Sequence, residues 1–177
     1  MDDQHRYGGT AITLHWAIVV LLVGQYALGW LMPEVHRGTA PVGLIEWHLS
    51  IGLCTLALAA ARLVWRLTHR PPAAPAAGPA LEVLAYRYTH LVLYVLLLLV
   101  PLTGWLNSSG RAWKPLFFGA FGFPGWVLHD VRTSRSIGEL HSSLAILLLA
   151  VVGVHVLAAL YHQLYLKDRL LSRMWIR

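Results

Sequence analysis

His141 and His155 stand fourteen residues apart in a nearly uninterrupted apolar run, Leu140 to Leu166. As an α-helix that interval advances about 21 Å and returns to within about 40° of its starting direction, so both imidazoles share one face near opposite surfaces of a bilayer. Ionisable side chains within a membrane are rare and functional by default, and imidazole is a standard axial ligand of haem iron. The chemistry that suits this spacing is a stack of two haems, each gripped by one of these imidazoles and by a partner at the same depth.

Three other apolar stretches supply partners in His15, His48 and His90. With the amino terminus inside, His15 lies near the cytoplasmic end of the first stretch and His48 enters the second from outside. His48 therefore matches His141 in depth, while His155 matches both His15 and His90, and depth does not separate those two. A single intramembrane histidine is as readily a hydrogen-bonding contact between helices. Four at two matched depths are not accounted for in that way. Gly52, Ser142, Ser143 and Gly153, close to the candidate ligands in sequence, leave room for a flat macrocycle. The chain has no C-x-x-C-H motif, so a haem here is b-type and held without covalent attachment. Its one cysteine, Cys54, cannot form an intrachain disulfide.

His162 lies seven residues beyond His155 on nearly the same face, which puts it among the cytoplasmic headgroups as a quinone contact or proton donor. Arg62 and Arg66 inside, with Arg132 and Arg135 outside, flank span ends where they can pair with haem propionates. Arg111, Lys114, Arg132 and Arg135 together surround the outer opening, and positive charge there raises the local concentration of a small anion. His5, His36, His69 and His129 fall in tails and loops and read as ordinary surface residues.

The elements that must position these groups follow from composition. Hydrophobic residues make up 57% of the 177 and charged residues 12%, well outside the range of soluble domains. Apolar stretches at about 11–32, 44–65, 88–106 and 140–166 are each long enough to span a bilayer. The expectation is an all-α, integral membrane four-helix bundle, one domain over 1–177, in the bacterial inner membrane. Of the 14 Lys and Arg residues, Arg37, Arg111, Lys114, Arg132 and Arg135 fall on one side and the rest on the side of the termini, so both termini are expected in the cytoplasm. The opening MDDQHRYGG lacks the strongly basic start of a secretory signal, and the first span reads as retained. The high pI, about 9.9, fits cytoplasmic flanks on anionic lipid and calls for no nucleic acid.

Proline-rich Arg70–Ala80 reads as an extended linker. The loop 107–138 carries Trp113, Phe117, Phe118, Phe121, Phe123 and Trp126, an aromatic density expected to lie at the headgroups and fold over the outer mouth of the bundle. Pro101 with Gly104 is expected to kink or loosen the third helix near its outer end. Trp16, Trp30, Trp47, Trp65, Trp105 and Trp175 sit at span ends as interfacial anchors.

Six segments, TLHW from Thr13, WHLSIGL from Trp47, THLVLY from Thr89, GWLNSSG from Gly104, ELHSSLA from Glu139 and GVHVLAALYHQLYLKDRLLSRM from Gly153, give the chain a resemblance to bacterial cytochrome b561. The resemblance covers nearly the whole length, and that family consists of small four-helix di-haem membrane proteins. It implies two haem b groups, the cytoplasmic one on His15 and His155 and the periplasmic one on His48 and His141. It also implies a quinone-associated role for His162, beside which relatives often carry a second histidine where this chain has Gln163. Members that act as superoxide oxidases take electrons from periplasmic superoxide and deliver them to ubiquinone. An alternative within the same resemblance is a haem b anchor subunit that links a partner dehydrogenase or hydrogenase to the quinone pool.

Overall fold

The computed structural model describes residues 6–36, 38–69, 80–122, 131–168 and 170–175. Four helices dominate: α1 (Gly9–Leu31), α2 (Leu44–Thr68), α3 (Ala80–Gly110) and α4 (Val131–Tyr161). A short hairpin, β1 (Leu116–Phe117) with β2 (Phe121–Gly122), follows α3. After α4 the chain continues as a π-helical turn, His162–Leu166, and a 3-10 turn, Leu170–Met174. All four helices are long and apolar enough to cross a membrane.

The outward faces carry Val20, Val23, Ile146 and Leu157, each more than 60% exposed, as a lipid-facing surface requires. Among the described residues, Ile18, Ala59, Leu96, Leu97 and Leu148 form a small buried apolar cluster. Between helices in lipid there is little hydrophobic drive, so close packing and hydrogen bonds must hold the bundle. α1 packs along α2, α2 against α3 and α3 along α4, whereas neither α1 nor α2 packs its backbone along α4. Tyr26 bridges one of those two gaps, its hydroxyl donating to the Ala145 carbonyl at 2.7 Å.

Both chain ends meet at one end of the bundle. The Trp16 indole donates to the Met174 carbonyl at 2.7 Å, and Tyr7 N–H donates to the Arg173 carbonyl at 3.3 Å. At the other end the hairpin is fastened to α2 by fully buried Ser50, whose Oγ accepts Phe118 N–H at 3.0 Å and donates to the Glu46 carbonyl at 2.9 Å. Trp47 meets Phe118 edge-on, with ring centroids 5.2 Å apart. Phe118 and Gly119, at φ 49° and 75°, are both left-handed, and this reverses the chain tightly enough to lie on the helix end.

Several boundaries differ from the sequence expectation. α3 starts at Ala80 and α4 at Val131, earlier than 88 and 140: α4 opens on the polar turns VRTSRSIG, and α3 on ALEVLAYR, where Glu82 and Arg87 interrupt a mostly apolar run. Residues 131–138 are thus helix, not loop. α3 also runs on through Pro101 as one helix to Gly110. Linker residues 70–79 and loop residues 123–130, with Phe123, Trp126 and His129, lie outside the described residues.

Candidate functional site

The helix gaps beside α4 are where the imidazoles meet. His48 of α2 and His141 of α4 have ring centroids 6.2 Å apart with planes at 88°. Toward the termini, His15 of α1 and His155 of α4 are 6.4 Å apart at 77°. Two imidazoles on opposite sides of one metal, each bonded through nitrogen at about 2 Å, set their ring centres roughly 6 Å apart. Both pairs have that separation. His90 of α3 also touches His155, at 5.2 Å, and its Nδ1 donates to the Tyr86 carbonyl of its own helix at 2.8 Å.

His141 shows how one ligand candidate is prepared. Its Nδ1 donates to the Val100 carbonyl of α3 at 2.9 Å, with the Thr103 hydroxyl 3.5 Å away. A proton held on Nδ1 leaves the Nε2 lone pair for a metal, the usual arrangement behind a ligating histidine. The ring lies so close to α3 that a Cβ on Gly104 would stand 3.0 Å from His141 Cε1. Across the gap a Cβ on Gly29 would stand 3.6 Å from His48 Cε1. His48 Nδ1 and Gln25 Oε1 are buried with no hydrogen-bond partner, and both residues line the same narrow cleft with Gly52, Gly104, Trp105 and His141. Orphaned polar atoms at a glycine-lined cleft between paired imidazoles fit a planar group carrying a metal. Among the described residues no three histidine, cysteine, aspartate or glutamate side chains gather as a metal-ligand set. Two imidazoles facing each other leave the remaining ligand positions of a metal to a macrocycle such as a porphyrin.

The remaining candidates are distributed at the two ends. Arg62 donates to the Ala11 carbonyl at 3.2 Å, which holds it next to the first turn of α1. At the hairpin end Arg111 Nε donates to Asn107 Oδ1 at 3.1 Å and its guanidinium lies over the Trp113 ring at 5.5 Å. Buried Ser134 donates to the same Asn107, tying α3 to α4. Lys114 is exposed, while Arg135 pairs with Glu139 at 3.2 Å, so its charge is partly offset. His162 Nδ1 lies 2.5 Å from Asp168 Oδ2, and the neighbouring Gln163 Oε1 is buried without a partner. A groove of about 940 Å³ along the outside of α1 is walled by Tyr7, Trp16, Val20 and Trp175, and none of the paired imidazoles lines it.

Sequence reasoning missed some of these relations. Gly104 was expected as a helix-loosening residue, and its role is to let an imidazole approach. Gly153 has open space around it, and Ser142 and Ser143 are exposed and bond carbonyls of their own helix, so the small residues that meet imidazoles are Gly29 and Gly104. Trp105 was expected as an interfacial anchor and lines the cleft. Nothing in the spacing of His162 and Asp168 announces their contact.

A bundle of four membrane-spanning helices with paired imidazoles facing one another between them defines a membrane haem protein of electron transfer. The chain belongs to the prokaryotic cytochrome b561 family, whose profile matches residues 6–176. Members of that family bind haem b, and the chain is a multi-pass protein of the bacterial inner membrane. It is 30% identical to cytochrome b561 homolog 2 of Escherichia coli (strain K12), over 98% of this chain and 93% of the relative. It is also 31% identical to the probable superoxide oxidase CybB of Yersinia pestis, over 96% and 95% respectively. A third relative, cytochrome b562 of Cereibacter sphaeroides, is 33% identical over 98% of both chains.

Proposed function

We propose that this protein is a superoxide oxidase: it takes electrons from superoxide on the periplasmic side and delivers them to ubiquinone on the cytoplasmic side. The termini end is then cytoplasmic, as the distribution of Lys and Arg favours. Two haem b groups are held by His48 with His141 and by His15 with His155. When bound, they supply one-electron carriage between the two faces. The observation that carries this reading is the presence of two imidazole pairs with nearly equal separations, 6.2 and 6.4 Å, across helices whose backbones do not pack together. The name of the Yersinia pestis relative supports the choice of donor.

The side chains have distinct tasks. Arg111 and Lys114, with Arg132, attract the small anion to the hairpin end, while Arg135 contributes less because Glu139 sits beside it. No side chain forms a covalent bond to substrate. Two superoxide anions each lose one electron and leave as dioxygen; one ubiquinone gains those two electrons and two cytoplasmic protons to become ubiquinol. His162 stands at the quinone end as contact and proton donor. Arg62 and Arg66 are placed to meet propionates at that end.

The test uses the purified holoprotein in lipid nanodiscs under anaerobic conditions. Haem quantification should give two b-type haems per chain, and stopped-flow mixing with superoxide should reduce them and then decylubiquinone. His141→Ala should remove one haem and leave the other. Two haems retained by that variant would sink the ligand assignment, and haem reduction only on addition of a soluble dehydrogenase would sink the donor.

A further inference from the structure

His162 and Asp168 are six residues apart, and in a regular α-helix that offset is about 9 Å along the axis and about 240° around it, too far for their side chains to meet. Here they are 2.5 Å apart, Nδ1 to Oδ2, with side chains 25% and 32% exposed. Two departures from helical geometry bring them together. The last turn widens into a π-helical one over His162–Leu166, and Lys167 follows in the left-handed region at φ 55°, ψ 28°. The chain then folds back, and Asp168 N–H donates to the His162 carbonyl at 3.3 Å. A left-handed conformation is unfavourable for lysine, and π-helical turns are rare. Together they bring one carboxylate against one imidazole.

We infer that Asp168 is the positioning residue of His162, holding the imidazole by Nδ1 so that Nε2 faces the quinone and delivers its proton. This rests on the quinone reading of His162 given above. A carboxylate on Nδ1 fixes which nitrogen is presented and fixes the ring's direction. In the transfer the Nε2–H bond breaks and an O–H bond forms on the quinone oxygen, whose electrons come from superoxide. The neutral imidazole keeps its Nδ1–H on Asp168, and cytoplasmic water returns a proton to Nε2. Asp168 touches neither quinone nor electron, so its role is exerted through His162.

The experiment compares Asp168→Ala, Asp168→Glu, His162→Ala and the double variant, all as holoproteins in nanodiscs with superoxide and decylubiquinone. Asp168→Ala should lower kcat for quinone reduction about 10- to 100-fold, the usual scale for losing the group behind a functional histidine, with KM and haem content unchanged. Asp168→Glu should restore most of the rate. In the His162→Ala background, Asp168→Ala should cost nothing further. Nitrogen NMR of histidine-labelled protein should show the single proton of neutral His162 fixed on Nδ1 in the parent and divided between both nitrogens in Asp168→Ala. An Asp168→Ala protein as fast as the parent while His162→Ala is slow would overturn the inference, as would equal losses with and without His162. If His162→Ala is itself as fast as the parent, the quinone reading falls and the positioning role with it. The nitrogen spectra distinguish the two failures, because they report the His162–Asp168 contact whatever the quinone does.

Discussion

Gly104→Ala is the sharpest test of how the bundle holds its hairpin-end imidazole. The added methyl would lie 3.0 Å from His141 Cε1 and 3.2 Å from Nδ1. Contacts that short are tighter than ordinary carbon contacts, so the ring or the helix must give by a few tenths of an ångström. Overpacking of that size costs about 1–3 kcal/mol. The ring is held against giving by its 2.9 Å bond to the Val100 carbonyl, which must stretch or be lost if it moves. Leaving those buried groups unpaired costs a further ~1–3 kcal/mol. Replacing a helical glycine by alanine returns about 1 kcal/mol, which is too little to reverse the sign. The net loss centres on about 3 kcal/mol, a weakening of haem retention of roughly 150-fold at that site. Gly29→Ala is the matched control, since its methyl would meet His48 Cε1 at 3.6 Å, an ordinary contact. Haem-to-protein ratios of the purified proteins should therefore fall from two toward one for Gly104→Ala and stay at two for Gly29→Ala. Two haems with an unchanged reduced spectrum in Gly104→Ala would refute the packing argument. Loss in both variants would show that helix propensity or insertion, not imidazole contact, controls the outcome.

Ser50→Ala removes the acceptor of Phe118 N–H, a change of about 1–2 kcal/mol; amide exchange over 116–122 should accelerate while haem content holds, and unaltered exchange would mean that the hairpin is fastened elsewhere. His90→Ala should leave both haems in place, because His90 already bonds its own helix and stands 5.2 Å from His155, closer than a shared metal requires; loss of one haem would transfer the ligand role from His15 to His90. Arg111→Ala should slow superoxide-driven haem reduction more than Arg135→Ala, with a weaker salt dependence, since Arg135 already faces Glu139. Equal effects would assign attraction to the overall charge of that end.

What could be read from residues alone was governed by periodicity and depth. The fourteen-residue spacing of His141 and His155 and the lengths of the apolar runs required four spans and faced the imidazoles inward, because helix geometry and bilayer thickness leave few alternatives. Boundaries were less legible: α4 opens on the polar turns VRTSRSIG, which hydropathy does not separate from loop, and α3 opens on ALEVLAYR, where Glu82 and Arg87 break the apolar run. Close approach was not legible at all. Gly104 looks like a kink beside Pro101 until the neighbouring helix is in place, and Gly153 looks like a ligand-side gap until its direction is known. The Asp168 contact depends on a π-helical turn and a left-handed lysine, backbone states that no local pattern in LYHQLYLKD specifies. Depth also left His15 and His90 as rivals, and the two do converge on His155, at 6.4 and 5.2 Å.

The clasp between chain ends bears on biogenesis. Trp16, one position after His15, is held by the carbonyl of Met174, and Tyr7 by that of Arg173. Trp16 and Met174 are 158 residues apart, so their bond closes the whole bundle as one loop and forms only once the helices between them have packed. That end of the bundle is therefore completed after the helices have assembled, and a chain without the clasp would keep its four spans while the start of α1 stays unfastened.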